Sequence, residues 1–151
     1  MGKKTQAKKT PKFAAENRPV TARETKFAVS VEGHATPVWR ISHIDWDGPW
    51  SPSKCKEAGV REILKRLANF ESMSWTQIQS GAGSHLVGAQ GIIKKAQLRL
   101  SHLKKEEWAD HLFSLRMSNK ERLWGFLRAG IFHVLWWDPE HEVFPSTKKH
   151  T

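Results

Sequence analysis

The stretch Leu112-Phe-Ser-Leu-Arg-Met117, Ser118-Asn-Lys120, Arg122-Leu-Trp-Gly-Phe-Leu127, Arg128-Ala-Gly130 and Ile131-Phe-His-Val-Leu-Trp-Trp137 decides the fold. Three runs of large apolar residues are separated by two short polar connections. Connections this short cannot hold a crossover, so neighbouring strands must run antiparallel. Both connections carry the turn chemistry of tight hairpins. The runs predict a three-stranded meander, closed by the turn signal Asp138-Pro139.

Upstream, the periodicity changes from two to about 3.6. Val60, Ile63, Leu64 and Leu67 form one stripe, with Lys56, Arg61, Glu62 and Lys65 mostly elsewhere, which predicts a helix from about Ser53 to Phe70. Ser74-x-x-Gln77 is a capping box, and Met73 and Ile78 occupy the two staple positions, so a short helix begins at Trp75. Ile93, Ala96, Leu100 and Leu103 predict a further amphipathic helix over Ile92–Leu103, followed by a short helical connection at Lys105–Asp110. Ser80–Gly91 has four glycines and no charge and reads as a mobile loop. It lacks the leading strand and following Lys-Ser/Thr of a nucleotide loop.

Nearer the start, Lys26–Val31 and Pro37–Ile44 read as two strands joined through Glu32–Ala35, an extra hairpin. Asp45–Pro52 is turn-rich and holds two tryptophans, a loop packed by its own aromatics. The expected class is α+β, with helices packed on one face of an antiparallel β-meander sheet. Residues 1–26 are expected to be a disordered basic tail and residues 27–151 a single α+β domain.

Charge is concentrated at that tail. The chain carries 25 Lys and Arg against 15 Asp and Glu, a formal +10. Residues 1–26 hold eight of these cations against two Glu, hence six of the ten excess charges. Such a field draws polyanions, and phosphate neutralisation is its commonest use. The eight tryptophans and seven phenylalanines can still fill a core. One cysteine, Cys55, excludes an internal disulfide and fits a reducing compartment. No apolar run approaches the ~18 residues of a membrane span, and Met1–Lys12 lacks the apolar stretch of a secretory signal. A cytoplasmic protein with RNA as its partner and no membrane association is expected.

Alternation along the meander puts Ser114 with Arg116 on one strand and Arg122, Trp124, Phe126 and Arg128 together on the next. It pairs His133 with Ile131, Leu135 and Trp137 on the third. Arg116, Arg122 and His133 can then share a surface with Lys120 and Trp124, a mixture of cations and rings suited to single-stranded RNA. Arg128 and the C-terminal Lys148 and Lys149 add further positive charge. The same set serves RNA cleavage, with His133 or His141 as acid or base and Arg116 and Arg122 stabilising charge on phosphorus. It is equally the pattern of solvated strand arginines and a packed histidine. Asp138-x-Glu140-His141 has the residue types of a metal site but not the spacing, so no metal or other cofactor is expected.

Leu112-Phe-Ser-Leu-Arg116, Glu121-Arg122-Leu-Trp124-Gly and Phe132-His-Val-Leu-Trp136, preceded by helices, resemble the RelE/ParE-like toxins of bacterial toxin–antitoxin systems. The likeness covers roughly Ile92–Pro145. It implies a metal-independent endoribonuclease acting on mRNA, at the ribosome or free of it, and neutralised by an antitoxin. Arg116, Arg122 and the His133/His141 pair would then be the catalytic positions. A second branch of that fold poisons gyrase by protein contact instead. The chain has no tyrosine, so a late-chain base or stacking role would pass to His or Trp.

Overall fold

The computed structural model describes residues 33–81 and 83–145. Among them, five strands form one sheet in the order β1-β5-β4-β3-β2. They are β1 (Val38–Arg40), β2 (His85–Leu86), β3 (Leu112–Arg116), β4 (Arg122–Arg128) and β5 (Ile131–Asp138). The predicted meander is the centre of this sheet, with β3–β4 and β4–β5 both antiparallel. The second hairpin turns on Ala129 and Gly130, at φ 52° and 73°. Positive φ at both turn positions matches the right-handed twist of the flanking strands.

β1 joins this meander in parallel, beside β5, with Val38 opposite Ile131 and Arg40 opposite His133. The first strand of the expected N-terminal hairpin and the basic tail both lie outside the described residues. The predicted mobile loop proves partly ordered by pairing: His85 and Leu86 add to the free edge of β3, opposite Ser114 and Phe113.

The side-chain phase of β5 departs from simple alternation. Trp124 lies opposite Trp136, but Gly125 lies opposite Val134, so Leu135 is an extra residue on β5. A bulge of this kind resets which residues face which side. Leu135 and Trp136 both pack into one core, while Trp137 joins Phe132 and Val134 in the other. The expected grouping of Trp137 with Leu135 therefore fails here.

Both faces of the sheet are covered, where one was expected. On the first, α1 (Glu57–Phe70) and α2 (Trp75–Ser80) contribute Leu67, Phe70, Trp75 and Ile78 against Phe113, Leu115, Phe132 and Val134. On the second, α3 (Lys94–His102) contributes Ala96 and Leu100, with Trp50 and Ile92, against Leu112, Trp124, Leu135 and Trp136. A meander clad on one side would leave half of its large side chains in water. Burial at roughly 25 cal/mol per Å² of apolar surface favours the second layer.

Local signals place the helices. The Ser74 hydroxyl accepts from the Gln77 amide at 3.2 Å, and the Gln77 side chain accepts from the Ser74 amide at 2.8 Å. This reciprocal cap starts α2 where the sequence predicts it. α1 starts at Glu57, later than expected, because Pro52–Lys54 forms a separate 3₁₀ turn and Cys55 and Lys56 are extended. Its predicted stripe is only half used. Leu67 is buried, whereas Val60 and Leu64 are exposed and edge a shallow apolar groove with Ile41 and Trp46. No helix among the described residues is long and apolar enough to cross a membrane.

Candidate nucleic-acid interface

The two ends of β4 carry two separate polar clusters. At its start, Arg116 and Arg122 are direct cross-strand partners, and Arg122 in turn faces Asp138 of β5. The arginines are held by the turn that joins their strands. Arg116 donates from Nε to the Ser118 carbonyl at 3.2 Å and from Nη2 to Asn119 Oδ1 at 2.8 Å. Arg122 is buried, and its Nη1 donates to the carbonyls of Ser118 and Glu121, both at 2.9 Å. Burial and the neighbouring Arg116 charge lower the Arg122 pKa, against the pull of Asp138.

His141 lies at this same end, at φ 58° in the turn after β5. Burial lowers its pKa first, then the Arg122 charge and His85, with Asp138 opposing. The structure thus brings Arg116, Arg122 and His141 together and adds His85, which the sequence did not single out. Lys120 pairs here with Glu140. Trp124 is fully buried, and its ring nitrogen donates to Asp138 Oδ2 at 3.2 Å. It is a core residue and offers no face to a base.

His133 does not join that end. Its β4 partner is Phe126, four residues beyond Arg122, which at the ~3.3 Å rise of a strand is roughly 13 Å away. The expected grouping of Arg116, Arg122 and His133 fails because cross-strand register, which alternation alone does not give, separates them.

His133 instead sits in a second cluster at the far end of the same face. Its ring centroid is 4.9 Å from that of His43 and 4.9 Å from that of Trp108, and His43 and Trp108 are 4.7 Å apart. Phe126 backs the rings at 5.6 Å from Trp108. Cations surround them. Arg128 lies over the Trp108 ring at 5.2 Å, Lys105 Nζ is 3.3 Å from His43 Nδ1, and Arg40 is the strand partner of His133. An ammonium has no lone pair to accept with, so His43 Nδ1 accepts and the ring proton resides on Nε2. Arg40 and Arg128 are exposed, His43, Lys105 and Trp108 half-buried, and His133 buried.

Electrostatics at this cluster run one way. Burial lowers the His133 pKa first, and His43, Arg40, Arg128 and Lys105 all lower it further. His43 is lowered by burial and by Lys105, with Glu107 opposing. Both rings are therefore neutral near pH 7, within a positive field. His133 Nδ1 is buried without a hydrogen-bond partner.

Of the other sequence candidates, Lys148 and Lys149 lie outside the described residues. Among the described residues no group of three His, Cys, Asp or Glu is placed to hold a metal ion. Arg40 and His43 were missed because the parallel β1–β5 pairing brings them to His133, and Lys105 and Trp108 because the segment after α3 packs back on β4. In the sequence Trp108 stood only as part of the short helical connection at Lys105–Asp110. No family model matches the chain, and no curated protein or solved structure is significantly similar to it. The resemblance to RelE/ParE-like toxins rests on the quoted motifs alone.

Proposed function

We propose that the protein is a cytoplasmic RNA-binding module that docks single-stranded RNA on the Arg40–His43–Lys105–Trp108–Arg128 surface. The observation that carries this reading is Arg128 lying over the Trp108 ring beside Lys105 and two neutral imidazoles. Phosphates require cations, and unstacked bases require planar surfaces next to them. The basic tail adds sequence-independent attraction. Anisotropy titrations of a labelled single-stranded RNA test it. Arg40→Gln with Arg128→Gln should weaken binding at least tenfold and flatten the salt dependence. Unchanged affinity and salt slope in the folded double variant would place RNA elsewhere or remove it as a partner.

A second reading is favoured by one observation, the meeting of Arg116, Arg122, His141 and His85 at the other end of the sheet. It is the toxin-like, metal-independent endoribonuclease of mRNA, held by an antitoxin. General acid–base cleavage needs such groups within reach of one phosphate. Induced expression with mapping of new RNA 5′ ends separates the two readings. New ends that vanish in His141→Gln support cleavage, and intact RNA with retained binding supports the module. Growth arrest with intact RNA and no RNA binding would point to a protein target of the gyrase type.

A further inference from the structure

The cluster around His133 differs from a general basic surface in gathering cations and rings about one buried imidazole. Arg40 comes from β1, His43 from the loop after it, Lys105 and Trp108 from the segment after α3, Arg128 from β4 and His133 from β5. Among the described residues, every charged group acting on His133 is a cation or the second imidazole. The one acid among the described residues that acts on the pair is Glu107, and its carboxylate accepts from the Trp108 ring nitrogen at 3.2 Å. Three permanent positive charges thus act, among the described residues, on an imidazole pair that feels a single acid.

Concentrated positive charge of this kind calls for a concentrated negative ligand. A buried polar atom with no partner also requires an explanation, and His133 Nδ1 is such an atom. We infer that the His43–His133 pair, with Arg40, Lys105 and Arg128, is a pocket for a phosphomonoester at the end of a nucleic-acid chain. This rests on the RNA-binding reading and specifies which part of the chain the site selects.

Charge and access both favour a chain end over an internal link. An internal phosphodiester carries one negative charge and continues on both sides. A terminal phosphomonoester carries close to two at neutral pH, since its second pKa is about 6, and has three acceptor oxygens. Lys105 Nζ, the Nε2 proton of His43 and His133 are donors for those oxygens. His133 is only 6% exposed, so a group that seats against it must enter as a terminus. The exposed Arg128 guanidinium, lying over Trp108, then provides a plane for the adjoining base.

Binding of the full chain to three versions of one single-stranded octaribonucleotide tests this: 5′-phosphorylated, 3′-phosphorylated and without a terminal phosphate. One phosphorylated form should bind at least tenfold more tightly than the form lacking it. That advantage should vanish in His43→Gln and in Lys105→Gln, both half-buried positions, with circular dichroism checking that each variant is folded. The imidazole resonances of His43 and His133 should also titrate at higher pH in the complex, because a bound dianion favours the charged ring. Equal affinity for all three RNAs would overturn the pocket and leave the RNA-binding reading standing. Failure of every RNA to bind, with inorganic phosphate still shifting both imidazoles, would overturn the nucleic-acid ligand and that reading together. Silence of both imidazoles toward RNA and inorganic phosphate would remove the pocket altogether.

Discussion

Asp45 and Arg99, 54 residues apart in the chain, meet in a two-pronged ion pair, with Nε donating to Oδ2 at 2.7 Å and Nη2 to Oδ1 at 2.6 Å. The same carboxylate accepts from the Trp136 ring nitrogen at 3.0 Å and from the Gly48 amide at 3.0 Å. One acid thus ties the loop after β1 to α3 and to the central tryptophan of β5. Burial alone would raise its pKa. The hydrogen bonds from Arg99 and Trp136, the Arg99 charge and the Gly48 amide together outweigh that and hold it below the usual 3.8.

The two partners are not equally replaceable. Asp45 is 1% exposed at its side chain and Arg99 21%. Arg99→Met leaves a sealed carboxylate without its counter-charge, which costs about 3–5 kcal/mol for a buried pair. Asp45→Asn leaves the guanidinium a route to water and keeps an oxygen for Trp136, so it should cost less. Urea unfolding at pH 7 checks the order, and equal losses would show that the pair is solvated.

Arg122→Ala is expected to be a stability variant before it is anything else. The guanidinium is buried and bonds two carbonyls of the β3–β4 turn. Hydrogen bonds from a charged donor contribute about 1.5–3 kcal/mol. A melting temperature several degrees below wild type should accompany any loss of activity. An unaltered melting temperature would free Arg122 for a ligand and strengthen the endoribonuclease reading.

The meander was legible because it is local: three runs and two short turns determine one another. The Ser74–Gln77 cap was legible for the same reason. What the sequence hid depends on distant pairing or on a single inserted residue. β1 was visible as a strand, but nothing local marks its parallel partner, and that pairing assembles the His43–His133 cluster. Leu135 carries no mark of a bulge, yet it shifts Trp136 to the other core. Trp124 and Arg122 looked like a binding surface because alternation defines faces without saying whether a face is covered.

The bulge makes Gly125 irreplaceable by a larger residue. A Cβ there would collide with the His133 carbonyl and lie 2.7 Å from the Phe132 ring. Both neighbours are fixed within the sheet and core. Overpacking of this kind typically costs about 1–3 kcal/mol. Gly125→Ala should fall at the upper end, read by chemical denaturation, because β5 must shift to admit it. A loss below ~0.5 kcal/mol would mean that the bulge relaxes freely.

Trp136→Ala should be the more damaging change in this region. The ring is fully buried, packs 5.2 Å from Trp50 and donates to Asp45. Truncating a buried tryptophan costs about 3–5 kcal/mol, and here the Asp45 oxygen also loses a donor. Thermal unfolding of the variant checks this, and a melting temperature equal to wild type would contradict the packing.

Acid should weaken the fold well before the carboxylates titrate. His43, His133 and His141 all have folded-state pKa values lowered from 6.5, each first by burial. Unfolded, each ring takes up a proton as pH falls through 6.5, while the folded rings do so only at lower pH. Between those points the unfolded chain binds more protons, so stability rises with pH there and is lost on acidification. The urea midpoint should therefore hold steady above pH 7 and decline as pH falls below 6.5. His133→Leu should shallow that decline, since a leucine cannot bind the proton that the native ring resists in the field of Arg40, Lys105 and Arg128. An unchanged slope in this variant would show that the cluster at β1 and β5 contributes nothing to the acid sensitivity, and a flat wild-type profile would show that the rings titrate normally in the folded protein.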